Sequence, residues 1–271
     1  MSDDADMPDD DKPNETQAAV WSAIRRGTAS VGRSVAGAYR FVDADLRRHA
    51  YQLPLLGLTL LVPRAPVIEP LRPDGFRPLV LVHGLGGHPG NLIGLKTYFA
   101  TRGRTRAYAV DFGNASSVEV MVQHLRSVID DIIARNDLPP DAQVDIVAHS
   151  MGGLIARLAV AEPQCRTRVA NLVTLGTPHL GSHLARLAST EFIRALRPGS
   201  ETLRRLEAQE FWGKENAPLL TAFWSRADTV VLPAESAQFP AGRNVELEAV
   251  THYGYLIQPS VWRAVWAALR P

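Results

Sequence analysis

Hydrophobic positions fall into two regimes along the chain. From Phe76 onward, short apolar runs alternate with segments of helical periodicity. The runs are Pro78–His83, Arg106–Asp111, Val144–Ala148, Val169–Leu175, Leu219–Trp224 and Asn244–Val250. They are rich in Val, Ile and Leu without strict alternation, the pattern of parallel strands buried on both faces. Between them, Val118, Val122, Leu125, Ile129 and Ile132 share one face of a helix predicted over 118–135, closed by Asn136 and Pro139. Further helices are predicted at about Asn91–Arg102, Met151–Glu162 and Pro259–Leu269. Alternating strands and helices predict an α/β fold: a mostly parallel six-stranded sheet with helices on both faces.

Before Phe76 the pattern differs. Val31, Val35, Ala38, Val42 and Leu46 recur at steps of three and four, an apolar helical stripe. Arg26, Arg33, Arg40 and Arg47 form a basic stripe beside it, and Pro54, Pro63, Pro66 and Pro70 then break the chain into short pieces. Three sections follow: an acidic tail predicted to be disordered at 1–16, a helical N-terminal extension at 17–76, and an α/β domain at 77–271. The basic amphipathic helix of 17–50 fits either of two roles. It can dock on the protein's own body or a second copy, or make a peripheral contact with an anionic membrane.

Charge and cysteine content narrow the function. The 271 residues carry 29 basic and 28 acidic side chains, which gives no global footprint of a nucleic-acid binder. Seven of the acids and only one base lie in 1–16. A single cysteine, Cys165, excludes an internal disulfide framework. The acidic start lacks the basic and apolar regions of a signal peptide, and Leu53–Val62 is too short to cross a bilayer. The expectation is a soluble, cytoplasmic chain, with peripheral membrane contact as the alternative.

Candidate chemistry centres on Ser150. The run Val144–Ala148 passes through His149-Ser150-Met151-Gly152-Gly153 into a helix, so a serine occupies a strand–turn–helix elbow. Ala148 and Gly152 are small enough for strand and helix to pass closely, although the usual first flank is glycine. A serine hydroxyl needs a histidine to take its proton and a carboxylate to orient that histidine. In such elbows the partners follow in the order acid, then histidine. After Ser150 the chain holds one aspartate, Asp228, and after Asp228 one histidine, His252. Each follows a predicted strand end. Glu235, Glu246 and Glu248 are alternative acids, but the last two fall inside the predicted last strand.

The run Pro78–His83 ends in His83-Gly84-Leu85-Gly86-Gly87-His88-Pro89-Gly90. Its glycines let the backbone turn an amide into the site, making Leu85 and Met151 the expected oxyanion donors. The loop lacks both a GxGxxG fingerprint and a P-loop lysine. His179 and His183 lie four apart but without the His-Glu-x-x-His glutamate, so zinc is set aside, while a calcium site built from distant carboxylates stays open.

Together VLVHGLGG, VDIVAHSMGG, LVTLGTPHLGS, SRADTVV and THYGYL resemble bacterial lipases of the α/β-hydrolase fold, most nearly the small Bacillus-type enzymes that share the alanine before His-Ser. The resemblance covers about 77–271. It implies carboxylic-ester hydrolysis of lipid or ester substrates without a cofactor, with Ser150, Asp228 and His252 as triad and Leu85 and Met151 as oxyanion donors. A lipid acyltransferase or thioesterase on the same triad is the alternative, and a non-catalytic binding protein of the same fold is a more distant one.

Two features depart from the small lipases. One is the 17–76 extension. The other is 176–218, which carries helix-like pieces at about 183–196 and 200–212 with apolar faces that include Leu184, Leu187, Leu203 and Leu206. It is expected to form either a lid over an acyl pocket or an ordinary packed insertion.

Overall fold

A computed structural model of the chain describes Gly57, Thr59, Leu61, Val62 and residues 68–113 and 115–269. All of these belong to one unit, Asp45–Pro271. The acidic tail and the amphipathic helix of 17–50 lie outside the described residues.

Six strands form one sheet: β1 Leu79–Val82, β2 Ala107–Ala109, β3 Val144–His149, β4 Val169–Leu175, β5 Leu219–Trp224 and β6 Arg243–Glu246. Their spatial order is β2-β1-β3-β4-β5-β6 and every pairing is parallel. Parallel neighbours need crossovers, and up to β5 helices supply them: α1 Ile93–Ala100, α2 Val118–Arg135, α3 Met151–Ala159 with α4 Pro163–Thr167, and α5 Glu191–Ala195 with α6 Glu201–Glu207. A 3₁₀ turn at Ala234–Ala237 lies between β5 and β6, and α7 Gly254–Ile257 and α8 Pro259–Ala268 follow β6.

Side chains of successive strand residues point to opposite faces, so each strand serves two cores. Val80, Val82, Ile146 and Ala148 join α2 and α3 on one face. Leu79, Leu81, Val147 and Val173 join α1, α7 and α8 on the other. The lack of strict alternation in the sequence has this cause: both faces of the central strands are covered.

Several boundaries differ from expectation for local reasons. Helix α3 stops at Ala159 instead of Glu162, because Pro163 forces Glu162 out of helical backbone, to φ −68° and ψ 123°. Strand β6 ends at Glu246, and the chain beyond it turns through Ala249 at φ 54°. Leu247 and Val250 face the second core from this loop, which makes the segment read as strand. Glu248 therefore lies in a loop, and His252 stands six residues past its strand instead of two.

Segment 176–218 is built of a 3₁₀ turn at His183–Leu187, then α5 and α6, each α-helix capped by a hydroxyl: Thr190 Oγ1 accepts from Ile193 N–H and Ser200 Oγ from Leu203 N–H. Leu203, Leu206 and Trp212 are buried in the first core, whereas Leu184 and Leu187 are exposed. Among the described residues, no helix is long and apolar enough to cross a membrane.

Candidate active site

Ser150 sits between β3 and α3 with φ 53° and ψ −128°. A positive φ is strained for a side-chain-bearing residue, by about 1–3 kcal/mol, and persists only where the surroundings enforce it. Here Ser150 N–H donates to the Leu175 carbonyl at the end of β4 (2.9 Å), and Thr177 Oγ1 donates to the Ser150 carbonyl (2.9 Å). Glycine is required directly after the elbow. A Cβ on Gly152 would stand 2.5 Å from the His83 carbonyl oxygen, and one on Gly153 would collide with the Thr177 side chain.

Asp228 lies in the loop after β5 and His252 in the loop after β6, and the fold brings both to Ser150. His252 Nδ1 is 2.8 Å from Asp228 Oδ2, and His252 Nε2 is 2.9 Å from Ser150 Oγ. Because a carboxylate only accepts, Nδ1 carries the proton, so Nε2 accepts from the serine hydroxyl. All three side chains are buried; Asp228 is 2% exposed and Ser150 9%. Burial alone would raise the Asp228 pKa. The hydrogen bond from His252 and the electrostatic attraction of its ring, with the N–H groups of Val231 and Val230 donating to Oδ1, outweigh it and hold the carboxyl below its ordinary range. The aspartate is therefore held as an anion beside His252.

The loops bearing acid and base are braced to each other. Ser225 Oγ accepts from Ala227 N–H (3.2 Å), next to Asp228, and from Val250 N–H (3.1 Å), two residues before His252. Gly176, at φ 54°, leaves room behind the acid: a Cβ there would lie 2.9 Å from Asp228 Oδ2 and 2.6 Å from the Tyr255 ring.

The glycine loop after β1 packs against the elbow. Gly87 N–H donates to the Gly84 carbonyl (3.0 Å), closing a turn with Leu85 at its first corner and Gly86 at φ 63°. A Cβ on Gly84 would lie 2.9 Å from Ser150 Cβ. Among the described residues, neither Leu85 N–H nor Met151 N–H is spent on a backbone acceptor. His83 Nδ1 faces the Gly84 carbonyl at 2.9 Å and so belongs to the loop's own framework.

His179 and His183 are not brought together. His179 is buried, with Arg157 N–H donating to its Nδ1 (3.2 Å) and its Nε2 facing Thr174 Oγ1 (3.0 Å). His183 is exposed on the 3₁₀ turn. Among the described residues, no group of three or more His, Cys, Asp or Glu is placed to hold a metal ion. The Arg157 guanidinium also donates to the Leu206 carbonyl (2.9 Å) and lies over the Phe239 ring, tying α3 to α6; burial lowers its pKa to about 10. A cavity of about 370 Å³ lined by Arg77, Gln143, Asn171 and Asn216 lies at the opposite, N-terminal ends of the strands.

Sequence reasoning passed over His149 and Ser225 as site residues. Their partners are fixed by tertiary contacts; His149 Nε2 meets the His252 carbonyl at 2.9 Å across 103 residues of chain, which no spacing signals.

The family described as PGAP1-like alpha/beta domain matches residues 97–216. A GPI inositol-deacylase of Cryptococcus neoformans is 31% identical over 149 residues, 54% of this chain and 18% of that protein. One from Candida albicans is 37% identical over 67 residues, 25% of this chain and 16% of that protein. The matched region thus spans less than a fifth of these fungal relatives. Among solved structures, mature Bacillus licheniformis lipase BlEst2 superposes with a TM-score of 0.62 at 18% identity, over 76% of this chain and 96% of that one. Aspergillus fumigatus lipase B gives 0.61 at 20% identity, over 72% and 53%. With its all-parallel sheet, serine elbow and these neighbours, the chain has the α/β-hydrolase fold.

Proposed function

We propose that this chain is a serine carboxylic-ester hydrolase acting on acyl esters of lipids, with Ser150, His252 and Asp228 as its triad. The observation that carries the reading is the continuous hydrogen-bonded line from Ser150 Oγ through both His252 nitrogens to Asp228 Oδ2. The likeness to proteins named as deacylases, and the fold shared with lipases, support an acyl ester as the substrate class.

Ser150 Oγ attacks the ester carbonyl carbon as its proton passes to His252 Nε2. The carbonyl oxygen becomes an oxyanion and takes hydrogen bonds from Leu85 N–H and Met151 N–H. The positive end of α3 adds to this stabilisation. Asp228 holds the imidazolium, which then protonates the leaving alkoxide as the C–O bond breaks, leaving an acyl-Ser150. Water, deprotonated by His252, attacks the acyl carbon and frees the acid and the serine. Side chains and amides perform each step. Within 176–218, the 3₁₀ turn at His183–Leu187 presents exposed Leu184 and Leu187 to an acyl chain while Ala185 is buried, and α6 is anchored in the core.

A p-nitrophenyl ester series from short to long acyl chains, with Ser150→Ala and Asp228→Asn in parallel, tests the reading. The parent should turn over these esters, and each variant should lose about 10⁴-fold or more in kcat. Parent-level turnover in Ser150→Ala overturns the nucleophile. Adding a lipid alcohol distinguishes transfer from hydrolysis: a new ester in place of free acid replaces hydrolase with acyltransferase.

A further inference from the structure

The base histidine stands on a loop of seven residues between β6 and α7 that includes the positive-φ Ala249, and three ties fix it to the sheet side. Leu247 N–H donates to the Trp224 carbonyl (2.7 Å), Val250 N–H donates to Ser225 Oγ, and His149 reaches His252 itself. We infer that His149 is a positioning residue: its Nε2–H holds the His252 main-chain carbonyl and so aims the His252 ring at Ser150. This inference rests on the triad reading above.

The argument is geometric. A carbonyl oxygen only accepts, so the 2.9 Å contact requires the proton on His149 Nε2 and fixes its tautomer. His149 is the last residue of β3, paired in register with Leu175, and the next residue, Ser150, donates its N–H to that same Leu175. Two adjacent residues at the end of a central strand, its last residue and the next, thus carry the stop for the base and the nucleophile. Their separation is set by one peptide unit instead of by loops more than a hundred residues apart. The two imidazole rings lie 4.7 Å between centroids, and Gly84 has no side chain to press on His149: a Cβ there would come 3.1 Å from His149 Nδ1.

His149 is wholly enclosed, facing His252, Asp228, His83 and Tyr255. Burial first, then the charge of His252, push its pKa to about 3, so it stays neutral while His252 becomes positive in the reaction. A charged His149 would oppose that imidazolium.

Three substitutions test this with two readouts: the rate at which a fluorophosphonate labels Ser150, and kcat and KM on p-nitrophenyl butyrate. His149→Leu keeps the bulk and removes the donor. His149→Gln places an amide N–H near the position of Nε2. His149→Asn is polar but too short to reach, and serves in place of the leucine variant should that fail to fold. The expected result is a fall in labelling rate and kcat of about ten- to a hundredfold in His149→Leu or His149→Asn, with KM within threefold. His149→Gln should regain most of that loss. A donor-less variant that reacts at the parent rate overturns the inference, as does His149→Gln falling as far as His149→Leu. Parent protein that is not labelled at Ser150 overturns the triad reading and this inference with it. Labelling that needs Ser150 but ignores position 149 defeats the inference alone.

Discussion

Acid should destabilise this protein well above the range in which carboxylates titrate, through histidines buried as neutral rings. His149 is held at about pKa 3 against 6.5 for an exposed imidazole. Between those values the unfolded chain binds a proton that the folded chain refuses, so stability rises with pH across the window and falls on acidification. At pH 5 the unfolded imidazole is 1.5 units below its own pKa and almost fully protonated, while the folded ring is almost wholly neutral. At about 1.4 kcal/mol per unit, this one residue removes about 2 kcal/mol between pH 8 and pH 5. For a domain of this size that corresponds to about 4–8 °C in Tm. His179, pushed well below its ordinary value by burial and then by Arg157, acts in the same direction. Asp228, with its lowered pKa, stabilises the fold above the unfolded carboxylate range and loses this only as pH falls through and below the unfolded aspartate value of 3.8, beneath the pH 8 to pH 5 interval. Urea unfolding at pH 8 and pH 5 measures the effect in the parent and in His149→Gln, which keeps a donor but cannot titrate. The variant should lose about 2 kcal/mol less than the parent on acidification. Equal losses in the two proteins would show that His149 is not a neutral, solvent-excluded ring, and the reasoning would fail.

Two further outcomes follow from packing. Gly152→Ala places a Cβ 2.5 Å from the His83 carbonyl and 3.0 Å from the Val82 carbonyl, so the elbow helix must move off the glycine loop; kcat should fall about tenfold or more while the protein stays folded, and parent kcat would contradict the packing. Leu203→Ala empties a fully buried site on α6 and should cost about 2–5 kcal/mol in urea unfolding; a cost below about 1 kcal/mol would mean that α6 is not part of the core.

The sheet was legible because its strands carry long apolar runs that no exposed segment would tolerate: β4 and β5 match their predicted bounds, and α2 does so through its stripe and its close at Asn136. The misreadings fall where one residue acts on a neighbour or where burial does not mean strand. Pro163 ended α3 early through the backbone of Glu162, and Val250 is buried from a loop. Asp228 and His252 could be named by counting, since no other aspartate or histidine remained in the required order. Counting identifies groups and says nothing about what holds them, so Ser225 and His149 went unseen in those roles.

What holds them explains how a strained serine and two loop residues form one line. Ser150 keeps its positive φ because β4 accepts its N–H, Thr177 donates to its carbonyl, and two glycines let α3 run close against the β1 loop and Thr177. Asp228 is fixed by its own loop, whose N–H groups at Val230 and Val231 occupy one carboxylate oxygen and leave the other for His252. His252 stands between the two, its ring nitrogens 2.8 Å from Asp228 Oδ2 and 2.9 Å from Ser150 Oγ, and in the proposed mechanism it passes a proton between them. The sheet supports it from the nucleophile's strand: His149 reaches His252 directly while Ser225 ties the loops before acid and base together. The alignment of the three side chains thus comes from cross-bracing between the three strand ends, and under the proposed mechanism the end of the elbow strand supplies both the reacting oxygen and the support for its base.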